Sequence, residues 1–308
     1  MNCSNLSLFL TSCRRERWKS KATVNSFHLH SFLSFSDNPL SNDFAVRQQF
    51  PIGDAFYKFA FQSRTNLLPT PEFIEIIENR QHSVCQSCLR DGRALNLSLA
   101  HILNGCRGRY VQYTQRHNDV QKIIVDYMKK LLCIEEIYTD KSLHLTNMPD
   151  DIRRLRPDVV AWANNRSKCY IVEVSVPYAC QSFGNNSLMT VYQHKKEKYR
   201  PLINFIQRLN IQVQLFVIVV SSLGAVHHDT ITDINRLFPI RKVNSTIIKR
   251  VSRAALTGSM KIWLSCHHQD SGPLSDSSGS LPSSQAPDPN GTESINYSDD
   301  SSNDDLEH

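Results

Sequence analysis

The sequence has no run of 18 consecutive apolar residues, which argues against a membrane-spanning helix. It also lacks a convincing secretory signal. The opening MNCSNLSLFL holds only a short apolar patch, Leu6 to Leu10 interrupted by Ser7, with no basic residue ahead of it. Without such a signal a reducing compartment is expected, so the nine cysteines, odd in number and irregularly spaced, should bind metal or pack rather than form disulfides. Residues 269–308 lack Lys and Arg altogether and carry nine acidic residues. Ser, Asp, Asn, Pro and Gly dominate this tail, which cannot bury enough apolar surface to fold.

Net charge is +6. With the acidic tail set aside, the remaining residues keep 35 Lys and Arg against 20 Asp and Glu, a balance of +15. A basic body suits a polyanionic partner, although basic soluble domains are also common. Residues 1–45 lack sustained periodicity and are expected to form a disordered leader. Within it RRERWKSK (14–21) is a solvated basic cluster and a weak nuclear signal. Residues 46–80 predict a helix, a turn and a second helix, with Thr70 capping a helix that starts at Pro71.

Cys85-x2-Cys88 is followed after twelve residues by His101-x4-Cys106. Four ligands at this spacing suit one tetrahedral Zn²⁺. Asp91 and Gly92 supply a turn after the first pair, and a short helix over LNLSLAHIL should end at Asn104 and Gly105. All four positions would be filled by protein, so a structural site is expected. Residues 46–108 thus form a helical segment plus a Cys-Cys-His-Cys knuckle. RYVQYTQRHNDVQKIIVDYMKKLLC (109–133) follows as a long amphipathic helix. Arg116, His117 and Lys122 near its start are candidates for contacting phosphate; the alternative is a solvated face.

The next domain, 109–268, should be α/β, with a mixed central sheet flanked by helices. IEEIY is a candidate strand. PDVVAWA (157–163) and CYIVEVSVPY (169–178) should pair as a hairpin across NNRSK, with Asn164 and Asn165 at positive φ. SLMTVYQHKKEKY is helical, and Pro201 should kink that helix or start another. QVQLFVIVVSS (212–222), the most continuous apolar run, is expected to be a buried central strand. DTITDINRLF and STIIKRVSRAALTGSMKIWL predict two further helices.

Asp158 and Glu173 have fourteen residues between them and would lie on neighbouring strands among Val and Ile. A carboxylate in such surroundings is costly unless it is paired or metal-bound. Hard cations such as Mg²⁺ take oxygen ligands, often one or two carboxylates plus phosphate and water. On the following helix Leu202, Phe205 and Leu209 mark an inward stripe that extends back through Lys198, Lys195, Val191 and Leu188. A lysine there could neutralise a cleaved phosphate or orient water; the alternative is a basic solvated face.

Pro157-Asp158 followed by an acid on a β run resembles the PD-(D/E)xK restriction-like nucleases. That motif has Lys two residues after the second acid, where this chain has Ser175. One branch instead uses a later helix with Lys-x2-Lys-Tyr: the restriction-enzyme-like endonuclease region of site-specific non-LTR retrotransposons. Lys195-x2-Lys198-Tyr199 resembles that helix. So do the knuckle with AHIL before its last Cys, RHN opening a helix, and RTNLLPT (64–70) ahead of the knuckle. The similarity covers roughly residues 60–265.

The resemblance implies a Mg²⁺-dependent endonuclease nicking double-stranded target DNA in the nucleus, with element RNA as a further candidate partner. It places metal on Asp158 and Glu173, assistance on Lys195, Lys198 and Tyr199, and DNA contacts on residues such as Arg156. Too few residues precede this region here to hold the polymerase that accompanies it in such elements, so a truncated element without reverse transcription is expected. Tyr297-Ser298-Asp299-Asp300 mimics a polymerase signature but lacks the apolar hairpin it needs. The competing reading is an inactive nucleic-acid-binding remnant that keeps the knuckle and the basic surface.

Overall fold

The computed structural model describes residues 53–65, 67–79, 84–131, 133–179 and 187–270. The leader, the basic cluster 14–21 and residues 271–308 of the acidic tail, with 297–300 among them, lie outside the described residues, whereas 269 and 270 end the last helix. Eight α-helices and four strands are formed among the described residues: α1 Asp54–Arg64, α2 Pro71–Ile77, α3 Gln86–Arg90, α4 Tyr110–Met128, β1 Ile134–Thr139, α5 Asp150–Arg153, β2 Val159–Ala163, β3 Lys168–Ser175, α6 Ser187–Arg208, β4 Gln212–Val219, α7 His228–Leu237 and α8 Arg241–Asp270. No described helix is long and apolar enough to cross a membrane.

The class is α/β. The sheet has order β1-β2-β3-β4, with β1-β2 and β2-β3 antiparallel and β3-β4 parallel. The β2-β3 hairpin turns through Asn164, Asn165 and Arg166 at φ 54°, 52° and 61°. Asn tolerates this left-handed region better than most residues, so the two asparagines hold the turn and with it the register. That register pairs Val159 with Val172 and Val160 with Ile171. A parallel β3-β4 pair needs a crossover, which α6 supplies.

Apolar side chains alternate across the sheet and bury both faces. On one face Val159, Ala161, Val172, Val174, Phe216 and Ile218 pack against α4, α7 and α8. On the other, Val160, Trp162, Cys169 and Ile171 meet Tyr199, Leu202 and Ile206 of α6. A third cluster joins Phe59 of α1, Ile102 and Leu103, Leu188 and Tyr192 of α6, and Leu256 and Trp263 of α8. Thr70 caps α2 by accepting the Phe73 N–H at 3.1 Å, with Pro71 at the first helical position, as expected.

Two expectations need correction. The apolar run 212–222 is not central: β4 ends the sheet order. It is buried because α7 covers its outer edge with side-chain acceptors. Asp233 Oδ2 accepts the Val217 N–H at 2.9 Å, and Thr230 Oγ1 accepts the Val219 N–H at 2.8 Å. An edge satisfied in this way can be as apolar as an interior strand. Nor does Pro201 start a second helix: α6 runs through it as one element. Tyr199, Leu202 and Ile206, which flank the proline, are fully buried and hold both halves on the sheet.

Candidate functional site

Two polar clusters stand out, at different ends of the chain's chemistry. The first is built by short-range structure. Cys85 precedes α3 and Cys88 lies within it. Gly92 at φ 75° turns the chain, and the Arg93 N–H returns to the Cys88 carbonyl. The LNLSLAHIL helix is shorter than expected and widens into a π-type turn over His101–Gly105. A turn closing residue i onto i+5 brings Cys106 back beneath His101. Gly105 does not adopt positive φ; the Tyr113 hydroxyl instead closes the end, accepting the Cys106 N–H at 3.1 Å and donating to the Ile102 carbonyl at 2.9 Å.

As a result the ligand atoms of Cys85, Cys88, His101 and Cys106 all lie within 4.8 Å of one another, and all four residues are buried. Cys85 Sγ is 3.6 Å from Cys106 Sγ, and Cys88 Sγ is 3.6 Å from His101 Nε2. Both distances are close to the edges a tetrahedral zinc site requires. Bonds of about 2.3 Å to sulfur and 2.0 Å to nitrogen give edges of about 3.8 and 3.5 Å. The thiols are free. Burial first, and then the Cys85 sulfur, pushes the Cys106 thiol up to about 11. Burial, with Arg93 and Arg109 nearby, holds His101 below its ordinary value, so its ring is neutral and able to ligate. The Arg93 Nε and Nη2 are buried without a partner, which suits a cluster that becomes anionic when its thiols ionise. The group could hold a metal ion such as zinc.

The second cluster is assembled by the sheet. The β2-β3 register, continued by one residue, sets Asp158 opposite Glu173 at the end of the hairpin away from its turn. Asp158 Oδ2 accepts the Val174 N–H at 2.6 Å and lies 3.2 Å from His117 Nε2 of α4. Glu173 Oε2 receives the Asp158 N–H at 3.4 Å, and Glu173 Oε1 takes an ion pair from Lys195 Nζ of α6 at 2.8 Å. Tyr199 Oη donates to the Arg156 carbonyl at 2.9 Å, tying α6 to the segment that carries Asp158.

Electrostatics separate the members. Glu173 is 3% exposed, and burial first, then the Asp158 charge, raises its carboxyl above the ordinary range; Lys195 opposes this. Burial alone would lower His117, but the Asp158 hydrogen bond and charge, with Asn118 and the Val174 carbonyl, more than offset it and push it up to about 9. Burial and the Glu173 charge push the Tyr199 phenol well up. Two acids are therefore held together at the sheet's end, with one cation contributed from each face.

The expected residues divide clearly. Asp158, Glu173, Lys195 and Tyr199 are brought together. Lys198 is not: it is exposed, with its ammonium over the Tyr199 ring. The inward stripe of α6 is Leu188, Tyr192, Lys195, Tyr199, Leu202 and Ile206, at steps of four and three, while Leu209 is exposed. Arg116 is buried at 2% exposure, donating to Ser259 Oγ and the Val176 carbonyl, so it cannot reach a phosphate. Gly258 makes room for it, since a Cβ there would come within 2.5 Å of the arginine side chain. His117 faces Asp158 rather than solvent, whereas Lys122 and Arg156 are exposed.

Two neighbours escaped sequence reasoning. Gln121 Nε2 donates to the Asp158 carbonyl at 2.7 Å and to Asp140 Oδ1 at 3.1 Å. It sits one helical turn after His117, a spacing that could have linked the two. Asp140, at φ 53° just past β1, carries no sequence signal of its role.

The chain matches no protein-family model, and no curated protein matches it at a significant level.

Proposed function

We propose that this chain is a metal-dependent DNA endonuclease of the restriction-enzyme-like type, derived from a site-specific non-LTR retrotransposon, which nicks one strand of double-stranded DNA. The observation that carries the reading is the 2.8 Å ion pair from Lys195 to Glu173, with Asp158 opposite on the neighbouring strand. A helix-borne lysine reaches the second acid from α6, where Ser175 stands in the position that PD-(D/E)xK nucleases give to lysine.

The two carboxylates suit Mg²⁺, which binds through one or two carboxylates plus water and substrate phosphate. Bound there, the ion would polarise the phosphate and lower the pKa of a coordinated water. Asp158 is held in place by the Val174 N–H, and Gln121 fixes its backbone. Lys195 has 23% of its side chain exposed, enough to meet a phosphate while still touching Glu173. Cys85, Cys88, His101 and Cys106 would hold Zn²⁺ as a closed structural site.

Incubation of supercoiled plasmid with the protein and Mg²⁺ tests this. Open-circle product should form with the unmutated protein and be lost in Asp158→Ala. An intact plasmid with the unmutated protein, despite DNA binding, would support the alternative of an inactive nucleic-acid-binding remnant. One feature favours that alternative: His117 and Lys195 already neutralise both acids.

A further inference from the structure

Arg156, two residues ahead of Asp158, joins Ser142, Asp150, Arg153 and Arg154 in lining an open depression of about 430 Å³. Its charges do not cancel. Arg153 is held by Asp150 at 3.1 Å and by the Met148 carbonyl at 2.9 Å. Arg154 and Arg156 are exposed and have no hydrogen-bond or ion-pair partner for their guanidinium groups among the described residues.

The ledge that carries them is stiff. Pro149 and Pro157 bracket it with fixed φ, and Ile152 and Leu155 pack on the same apolar cluster as α6. The Tyr199 hydroxyl grips the Arg156 carbonyl two residues before Asp158, so the ledge and the acids keep one geometry. A forked guanidinium with five donors and a hydroxyl matches phosphodiester oxygens.

We propose that this depression binds a stretch of DNA backbone next to the phosphate presented to Asp158 and Glu173, with Arg154 and Arg156 as phosphate contacts and Ser142 as a neutral donor. This rests on the nuclease reading and adds the path of the strand. Asp150 is occupied by Arg153 and therefore does not repel the phosphates freely.

The test uses the full chain carrying Asp158→Asn, so that binding is measured without cleavage. A fluorescent 30-base-pair duplex is titrated from 50 to 200 mM salt. Adding Arg154→Ala and Arg156→Ala should weaken binding roughly tenfold and reduce the slope of log K against log salt by about 2. The paired control Arg241→Ala and Lys242→Ala, at the exposed start of α8, should leave the slope within about half that change. Circular dichroism and thermal midpoints check that each variant folds. An unchanged slope in a folded ledge variant, or an equal loss in the control, overturns the inference.

Inorganic phosphate supplies the second arm. If the ledge variant abolishes competition by inorganic phosphate but leaves the duplex slope unchanged, the depression takes a free phosphate group and the DNA assignment is wrong. If unmutated protein leaves plasmid intact while the slope falls as expected, the nuclease reading fails and the backbone site survives. If plasmid is nicked and the slope does not move, only the backbone site fails.

Discussion

The two polar clusters of this protein solve opposite problems. The Cys85-Cys88-His101-Cys106 group brings four side chains that could hold a metal ion together within a stretch of 22 residues and buries all of them. The Asp158-Glu173 cluster sets two carboxylates side by side on neighbouring strands and balances them with His117 from one face and Lys195 from the other. On the proposed reading the first would serve stability, since four buried side chains would fill every position around an ion. The second would serve chemistry, since two acids share one site and the balancing His117 and Lys195 remain partly exposed. Mutations should separate the two: ligand loss should unfold the first, and charge loss should silence the second without unfolding it.

The largest effect is expected at the cysteines. Structural zinc sites contribute on the order of 10 kcal/mol to the folding of small modules. Cys88→Ser should therefore release bound zinc, measured by atomic absorption, and should open residues 84–109 to protease at temperatures where the rest of the chain stays intact. Retention of zinc and protease resistance would show that the four residues are only packed together.

An intermediate effect is expected from pH. His117 is raised in the folded protein, from an ordinary value near 6.5 to about 9. The stability contributed by its pair with Asp158 is thus complete below about pH 6.5 and is lost as pH rises through 9. Chemical denaturation at pH 6 and pH 9.5 should show a loss on the order of 2 kcal/mol, discounted for the partly exposed ring. His117→Gln should remove most of that difference. An equal difference in the variant would place the titrating group elsewhere.

The smallest effect on stability is expected at Glu173, the residue most exposed to its neighbour's charge. Glu173→Gln removes the repulsion from Asp158 and a desolvated carboxylate, while Lys195 can turn toward solvent. Its stability should stay within about 1 kcal/mol of the unmutated protein or rise slightly, with nicking abolished. A large destabilisation would make the acid pair a structural element instead.

Local chemistry was the legible part of the sequence. The asparagine turn and the Thr70-Pro71 helix start each depend on a few adjacent residues and take the expected place, and the Cys-Cys-His-Cys side chains, spread over 22 residues, come together. The hairpin register followed from that turn, which is why Asp158 and Glu173 could be set opposite each other in advance. What failed depended on contacts between distant segments. Burial of β4 reads as a central position, yet Asp233 and Thr230 of α7 replace the missing neighbour strand. A stripe through Leu202, Phe205 and Leu209 puts Lys198 inward, but the buried residues are Tyr199, Leu202 and Ile206, and the aromatic ring takes the place next to the exposed lysine. Arg116 reads as a surface charge because nothing nearby in sequence announces Gly258, whose missing side chain admits it.

The central claim is that Lys195, not Lys198, completes the acid site. Rates of Mg²⁺-dependent plasmid nicking by Lys195→Met and Lys198→Ala, each compared with the unmutated protein at equal fractions of bound DNA, test it most directly. Lys195→Met should lose about a hundredfold or more in rate, the cost of removing one charge-stabilising donor, while Lys198→Ala should stay within a fewfold. A severe loss in Lys198→Ala with Lys195→Met near normal would contradict it.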